Sequence, residues 1–543
     1  MSPTRWVLPR ALSLAVLAAM LGAMVSATPA AAQFFDQTVH ALDLATGPVA
    51  RSPRLLGMGG LSLVVPDRDA SINLWDFAGI PVGLASDDTT STLDMRPHTD
   101  AMSSVRALVG GRERQNLAAR TTSTQLEAAY RNHETGGVFG LVGDLSSLRW
   151  DRPYASSVEV RETVLHPQVL AVLGGAVPRV FSGHLAWAGH LRFRSENVKD
   201  QYREIVTNDA GEFIGLGGGE LPPPGQFTPT KTNVTTSAYG LSTAYSLGKQ
   251  TRFALGIEHE NNRILATNDL PRSSSETQET RPYWNGHAAL VGRFGHTFEY
   301  GVDGIGRLAS SEQDWRFTTS AGVGADALSG RGNMLTREEK ASELHARVRW
   351  SPGRATFAGS VQTAANKIIF DPPNANDPTS LNHFINVAFN RPGADTLSLP
   401  DSIGHNETRR YAFGWGGGAS YRFGRTTLGA EGHWLRDLST STVLGAGPRR
   451  VSWDVRAGLE RPLGHQMAGR LGYVHRSVDE DIYTAGNEFK ANAVSLGLGY
   501  TPLGSGWSLE SGYMLEFRNQ DFSDAADEHQ SRQNLAIQIH WAF

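Results

Sequence analysis

From Asn534 to Phe543 apolar and polar residues take turns. Leu535, Ile537, Ile539, Trp541 and Phe543 fall on one face, and Asn534, Ala536, Gln538, His540 and Ala542 on the other. Strand side chains alternate with period two, so this spacing predicts a β-strand with one greasy face. The same alternation recurs up the chain. Leu185, Trp187, Leu191 and Phe193 stand against His184, Ala186, His190 and Arg192. Leu344, Val348 and Trp350 stand against Glu343, His345, Arg347 and Arg349, and Val451, Trp453, Val455 and Leu459 against Ser452, Asp454, Arg456 and Glu460. Val494, Leu496, Leu498 and Tyr500 alternate with Ala493, Ser495, Gly497 and Gly499, and the aromatics Tyr411, Phe413, Trp415, Tyr421 and Phe423 alternate mostly with glycine. One face is apolar with aromatics near the ends, as lipid and its interfaces require, and the other is small or charged.

The connections separate a membrane barrel from a soluble sandwich, whose strands alternate in a similar way. Tight turns are predicted at Gly248-Lys249, Gly295, Pro352-Gly353, Gly424-Arg425, Gly464-His465 and Gly504-Ser505. Between them lie long segments, read as loops: Ser195 to Asn233, Asn262 to Thr280, Ser310 to Glu339 and Ala365 to Asn406. Short turns on one side and long loops on the other are the plan of an outer-membrane barrel, with the last strand ending on the periplasmic side. The fold class is therefore all-β, an antiparallel transmembrane β-barrel. Counting hairpins back from Phe543 and adding a weakly patterned first strand at roughly Thr89 to Pro97 gives about eighteen strands, within a range of about 14–18.

Composition leaves this reading standing. Hydrophobic residues make up 40%, which suits a soluble chain equally well, because barrel strands interleave apolar with polar residues. Residues 1–32 have the layout of a signal peptide: Arg5 and Arg10, an apolar run from Ala11 to Val25, and small residues Ala30-Ala31-Ala32 before Gln33. The formal charge of -4 becomes -6 once Arg5 and Arg10 are removed, too mild a balance to suggest nucleic acid as a partner. There is no cysteine, which excludes disulfides, thiolate metal sites and a lipid-modified N-terminal cysteine.

Residues 33–88 do not alternate and are rich in Gly, Asp and small residues. Such a segment suits a compact plug and could not span lipid, where its backbone groups would lack partners. It contains Gly57-Met58-Gly59-Gly60, an apolar run, Asp67-Arg68-Asp69-Ala70-Ser71, and then Asp76-Phe77-Ala78-Gly79. This stretch resembles the N-terminal signature of the FadL-like outer-membrane proteins, which include fatty-acid and hydrocarbon transporters and the PorV-type secretion-associated barrels. In the family the pattern is Gly-Met-Gly-Gly, an apolar run, Asp-x-x-Ala-Ser and Asn-Pro-Ala-Gly. Asp76 and Phe77 replace the Asn-Pro pair here. The resemblance implies a hatch inside the barrel carrying Gly57, Met58, Gly59, Gly60, Asp67, Asp69, Asp76, Phe77, Ala78 and Gly79, in a family whose barrels have fourteen strands. The chain end likewise resembles the terminal strand of bacterial outer-membrane barrels, which implies an assembly signal at Trp541 and Phe543 read by the barrel assembly machinery. The expected organisation is a signal peptide at 1–32, a plug at 33–88 and a barrel at 89–543.

Little reads as catalysis, and no enzyme is expected. The 17 histidines show no His-Glu-x-x-His or comparable spacing, so no metal or cofactor is expected, and His184, His190, His345, His433 and His540 read as hydrated lumen residues. The inward charges are more informative. Arg192, Arg194, Arg347, Arg349, Arg422 and Arg456 are interleaved with Glu299, Asp303, Glu343, Glu431, Asp454 and Glu460, either as a lattice holding the plug or as a selectivity device. In the loop Ala365 to Asn406, Leu381, Phe384, Ile385, Ala388 and Phe389 follow helical spacing after Ile368, Ile369 and Phe370. This apolar surface suits capture of a hydrophobic ligand or packing over the barrel mouth. A second apolar stretch runs from Tyr202 to Phe227, and Asp479-Glu480-Asp481 is read as a short outer loop able to bind calcium or bridge lipopolysaccharide. The resemblance implies passive uptake of fatty acids or hydrocarbons across the bacterial outer membrane. The alternatives are a PorV-like scaffold with a protein partner and a general porin. Expected surroundings are outer-membrane lipid and lipopolysaccharide.

Overall fold

The computed structural model describes residues 52–65, 91–107, 116–132, 137–155, 158–180, 183–204, 228–247, 251–270, 273–319, 328–371, 405–442, 445–482, 485–522 and 525–542. It contains one 18-stranded antiparallel sheet, closed on itself by pairing of the first strand with the last. The strands are β1 (Thr92–Ala107), β2 (Asn116–Arg131), β3 (Val138–Ala155), β4 (Val158–Val180), β5 (Gly183–Glu204), β6 (Thr228–Leu247), β7 (Thr251–Leu270), β8 (Ser273–Phe294) and β9 (Phe298–Thr319). The second half comprises β10 (Leu328–Trp350), β11 (Ala355–Asp371), β12 (Asn406–Phe423), β13 (Thr426–Ser441), β14 (Gly445–Pro462), β15 (Met467–Ile482), β16 (Ala485–Tyr500), β17 (Trp507–Phe522) and β18 (Ala525–Ala542). Each strand pairs with its neighbours in sequence, and the ring closes from Thr92 opposite Ala542 to Arg106 opposite Glu528. Closure removes the sheet edges, which lipid could not hydrogen-bond.

The alternation sorts residues to the two faces. Large apolar side chains stand exposed on the outside: Leu191 is 65% exposed, Leu496 56% and Trp415 53%. Aromatic pairs gather beside the short turns, among them Phe294 with Tyr300, Trp350 with Phe357, Tyr421 with Phe423 and Tyr500 with Trp507. A continuous apolar exterior ringed by aromatics belongs in a bilayer, so the chain is an outer-membrane-type β-barrel. Positive φ at Gly295 (62°), Gly353 (67°), Gly424 (58°) and Gly504 (72°) lets the periplasmic turns reverse the chain tightly.

Several expectations need correction. The supposed first strand, Thr89 to Pro97, is a 16-residue strand beginning at Thr92. The segment Asn262 to Thr280 is not a loop, since β7 and β8 stay paired up to Leu270 opposite Ser273. Likewise β5 and β6 reach into Ser195 to Asn233, β9 and β10 into Ser310 to Glu339, and β11 into Ala365 to Asn406. Asp479-Glu480-Asp481 lies within β15, opposite Val451, Arg450 and Arg449. The physical reason is common to all of these. Beyond the bilayer both faces of a strand meet water, the apolar period vanishes, and a strand reads as a loop.

The segment 52–65 lies inside the barrel. Ser52 caps a one-turn helix, α1 (Pro53–Gly57), by accepting from the Leu55 N–H, and proline stands at its start where no N–H is missed. Gly59 (φ 72°) and Gly60 (φ 77°) end it.

Candidate functional site

The inner wall has three sectors, and the first seats the N-terminal segment. Gly429, Gly458, Gly472 and Ser495 lie directly opposite one another across β13 to β16, and Gly497, Gly512 and Ala536 across β16 to β18. Their small size leaves a groove that the backbone of 53–60 fills. A Cβ added to Gly472 would come within 2.0 Å of the Gly59 nitrogen, one on Gly512 within 2.2 Å of the Pro53 carbonyl, and one on Gly458 within 2.3 Å of the Met58 carbonyl. Glycine is required there for close approach.

Charged groups then fix the segment. Arg54 donates Nε and Nη2 to Glu460 at 2.7 and 2.9 Å, and Arg470 bridges Glu460 to Glu510. The Glu431 carboxylate, whose side chain is 0% exposed, accepts the backbone N–H groups of Ser62 (3.1 Å), Leu63 (2.9 Å) and Val64 (3.4 Å). Arg456, held by Asp454, donates to the Gly60 carbonyl at 3.0 Å. Ser495 accepts from Gly59 N–H at 2.8 Å, while Ser420 and Arg349 donate to the carbonyls of Val64 and Leu63. Leu55, Met58, Leu61, Val64 and Val65 form a small buried core beneath. A backbone without sheet partners is thus satisfied by the wall, as burial demands.

The second sector, on β2–β8, is apolar toward the periplasm. Val142, Leu170, Val172, Ala186, Ala188 and Ala254 point inward and are buried. Toward the outer side it becomes a lattice of alternating charge, His190 with Glu258 at 2.6 Å, Arg192 with Glu260 at 2.5 Å and Arg281 with Glu279 at 2.5 Å, which runs on across β9 to the outer part of β10, where Arg337 meets Glu339 at 2.7 Å. Asn285 links Glu258 to Arg307, and Ser311 donates to Glu279. The third sector, on β9–β11, carries Glu343, Arg347 and Gln362, all exposed, and the pair Asp303–His345 at 3.4 Å.

Of the expected site residues, Gly57, Met58, Gly59 and Gly60 lie on the seat, while Asp67, Asp69, Asp76, Phe77, Ala78 and Gly79 lie outside the described residues. Leu381, Phe384, Ile385, Ala388 and Phe389 also lie outside them, as does Phe543. Trp541 is on β18, opposite Leu93 and Trp507. Ile368, Ile369 and Phe370 were expected in a loop, but they belong to β11. Ile368 and Phe370 share the inward face with their partners Glu339 and Arg337, and Ile369 points outward. Ile368 is 1% exposed, and the Arg337 guanidinium sits 5.7 Å above the Phe370 ring. Among the expected lumen charges, Arg349 and Arg456 touch the N-terminal segment, Asp454 and Glu299 support them, and Arg347 and Asp303 line the third sector. His190, His345, His433 and His540 each face a carboxylate. Arg54, Arg470, Glu510, Ser420 and Ser495 were missed as anchors. The legible signal was the inward glycine on each of β13 to β17.

The chain is similar in structure to the ferric yersiniabactin uptake receptor FyuA of Yersinia pestis (8% identity, TM-score 0.42, 84% of this chain and 80% of that one). It is also similar to a FadL homologue of Pseudomonas aeruginosa (11%, 0.34, 91% and 97%) and to the toluene transporter TbuX of Ralstonia pickettii (10%, 0.37, 92% and 98%). No family model and no curated protein matches it.

Proposed function

We propose that the protein is a channel for passive uptake of hydrophobic small molecules across the outer membrane, with residues 33–88 acting as its plug. The observation that supports this reading most is the apolar inner wall of β2–β8. A general porin lines its lumen with polar groups, because water fills it. A wall of Val, Leu and Ala instead suits an apolar solute, which gains roughly 25 cal/mol for each Å² of its surface taken from water. The segment at 52–65, tied to the opposite wall, supports the plug assignment, and the Gly57 to Gly60 resemblance points the same way. The protein acts as a conduit rather than an enzyme. Leu381, Phe384, Ile385, Ala388 and Phe389, which follow β11 in the sequence, would supply an apolar surface for capture.

Cells with and without the gene, given a radiolabelled long-chain fatty acid or alkane, test the proposal. Faster uptake with the gene, lost in a Val142→Asp/Val172→Asp double variant that still folds as a barrel, is expected. Equal uptake in both strains would refute it. Absence of flux with a co-purifying protein would favour a secretion scaffold instead.

A further inference from the structure

The outer surface of the barrel changes character above its apolar band. Lys340 on β10, Lys367 on β11 and Arg409 on β12 are direct partners in the ladder, Lys340 opposite Lys367 and Lys367 opposite Arg409. Each falls on the same face as the lipid-exposed residues of its own strand: Val348 and Trp350 on β10, Phe357 and Val361 on β11, Tyr411 and Trp415 on β12. All three therefore point outward. Arg436, opposite Phe413, adds a fourth outward cation on β13, and Lys340, Arg409 and Arg436 are exposed. Counted from the short-turn ends of their strands, the four lie about ten to fourteen residues up. Strands tilted by about 40° rise roughly 25–35 Å over that length, and an apolar band is about 25 Å tall, so these cations stand at its outer border.

Like charges directly opposite one another in a sheet repel, so this row is costly in the protein alone. One carboxylate, Glu407, accepts from both Lys367, at 2.8 Å, and Arg409. Glu338, two positions above Lys340 on the same face, stands opposite Ile369. Among the described residues, Lys340 and Arg436 have neither a hydrogen-bond nor an ion-pair partner. Over β10 to β13 the border thus carries four cations against two carboxylates. The patch ends at β14, where Arg449 stands opposite Asp481 on β15. Across the barrel, on β5 to β8, the matching outward positions Ser195, Ser237, Asn261 and Pro282 are uncharged, with Arg263 the exception. Positive charge is gathered on one side, directly above the apolar surface of Leu344, Phe413 and Trp434.

We propose that the outer face of β10–β13 is a docking site for a phosphorylated lipid of the outer leaflet, of the lipid A type. Lys340, Lys367, Arg409 and Arg436 hold its phosphate groups, and its acyl chains lie on Leu344, Phe413 and Trp434. Charge complementarity selects the head group. Phosphate offers several acceptor oxygens, which a guanidinium meets with parallel N–H groups and an ammonium meets as a point charge. Continuity with the apolar exterior selects a lipid over a free anion, because the cations stand where the head groups of the surrounding leaflet stand. Binding here uses only the outer surface of the barrel and is independent of what the lumen carries.

Native mass spectrometry of the protein folded in a non-ionic detergent provides the test. It is titrated with bisphosphorylated lipid A, with the same lipid after its phosphates have been removed, and with inorganic phosphate. The protein should retain lipid A, bind the dephosphorylated lipid at least about tenfold more weakly, and take up no inorganic phosphate at the same concentration. A Lys340→Gln/Lys367→Gln/Arg436→Gln variant should bind lipid A at least about tenfold more weakly, while Arg263→Gln stays within about twofold of the parent. Folding of each variant is read from the shift in its gel migration on heating. Equal binding of the two lipids would mean that acyl chains alone make the contact. An unaltered triple variant, or an equal loss in Arg263→Gln, would mean that no site exists on β10–β13. Inorganic phosphate bound as tightly as lipid A would mean a free-anion site. Each of these results overturns the proposal, and if the triple variant does not fold, the two lipids compared on the unsubstituted protein still decide it.

Discussion

Arg54 and Glu460, 406 positions apart in the chain, are joined by two parallel hydrogen bonds of 2.7 and 2.9 Å. The fork of a guanidinium meets both oxygens of a carboxylate, the geometry in which charge-assisted bonds are strongest. Only 10% of the Arg54 side chain and 18% of Glu460 remain exposed, so salt screens the pair little. Removing the guanidinium in Arg54→Ala leaves Glu460 with Arg470 alone. The docked state of 52–65 should lose about 1.5–3 kcal/mol, the range for hydrogen bonds to charged groups. Native-state hydrogen exchange on this segment should speed up by roughly ten- to a hundredfold, with the barrel amides unchanged. Arg54→Lys should recover only part of the loss, since an ammonium cannot present the fork. Exchange unaltered in Arg54→Ala would show that the pair is incidental.

The glycine seat makes a steric prediction. At Gly472 an added Cβ would meet the Gly59 nitrogen at 2.0 Å, and both groups are backbone, so neither can swing aside. Gly472→Val should displace the segment while leaving the ladder intact, since β-branched residues suit strands. Overpacking of this kind costs about 1–3 kcal/mol or more. Limited trypsin digestion should then cut after Arg54 in the folded, detergent-solubilised protein. Gly432→Ala is the matched control, because its added Cβ meets nothing nearer than the Asp454 carbonyl at 3.6 Å. Equal resistance in both variants would argue against a close-fitting seat.

Glu431 offers the third test. Its carboxylate accepts from three consecutive backbone N–H groups, those of Ser62, Leu63 and Val64, and Arg456 stands 3.7 Å from it. Glu431→Ala strips the acceptor from donors buried in the lumen. Each buried donor left unsatisfied costs about 1–3 kcal/mol, so the local loss should reach about 3 kcal/mol or more. Amide exchange at Ser62, Leu63 and Val64 should accelerate by at least about a hundredfold, the factor that such an energy implies. Glu431→Gln keeps one acceptor oxygen and should fall between. If the alanine variant exchanges as slowly as the parent, water or another group supports these amides.

The sequence was legible where one face of the chain met lipid. Leu496 and Trp453 alternated against Ser495 and Asp454 because the bilayer imposes a period of two, and from that period came the closed barrel and its strand count. Above the bilayer the same backbone continued, but residues such as Ser275 and Asn268 are polar on either face, so β7 and β8 looked shorter than they are. The inward charges were visible as a class, since Arg456 and Glu460 fall on the polar face of their strand. Their partners were not visible, because the contacts to Gly60 and Arg54 span 396 and 406 positions and no local pattern encodes them. Ile368 and Phe370 misled for a related reason. An apolar run at the end of a strand reads as loop surface until the register shows that the strand has not ended.

The two faces of the wall predict opposite responses to the same substitution. Leu496 on β16 points outward between Val494 and Leu498 and is 56% exposed, so in a bilayer it touches acyl chains. Arginine there must be drawn out of water into hydrocarbon, which costs about 2–4 kcal/mol near the midplane of a barrel. Gln362 on β11 points inward and is exposed, as is Arg347 on the same face of the neighbouring strand, which already carries the same charge. Gln362→Arg should therefore fold into lipid vesicles within about 0.5 kcal/mol of the parent, the usual span for an exposed polar change. Leu496→Arg should shift the same equilibrium by several times that amount. The comparison is read from urea titrations of folding into phosphatidylcholine vesicles, followed by tryptophan fluorescence. Equal costs at the two positions would mean that the apolar face does not meet lipid, and the orientation of every strand would have to be reversed.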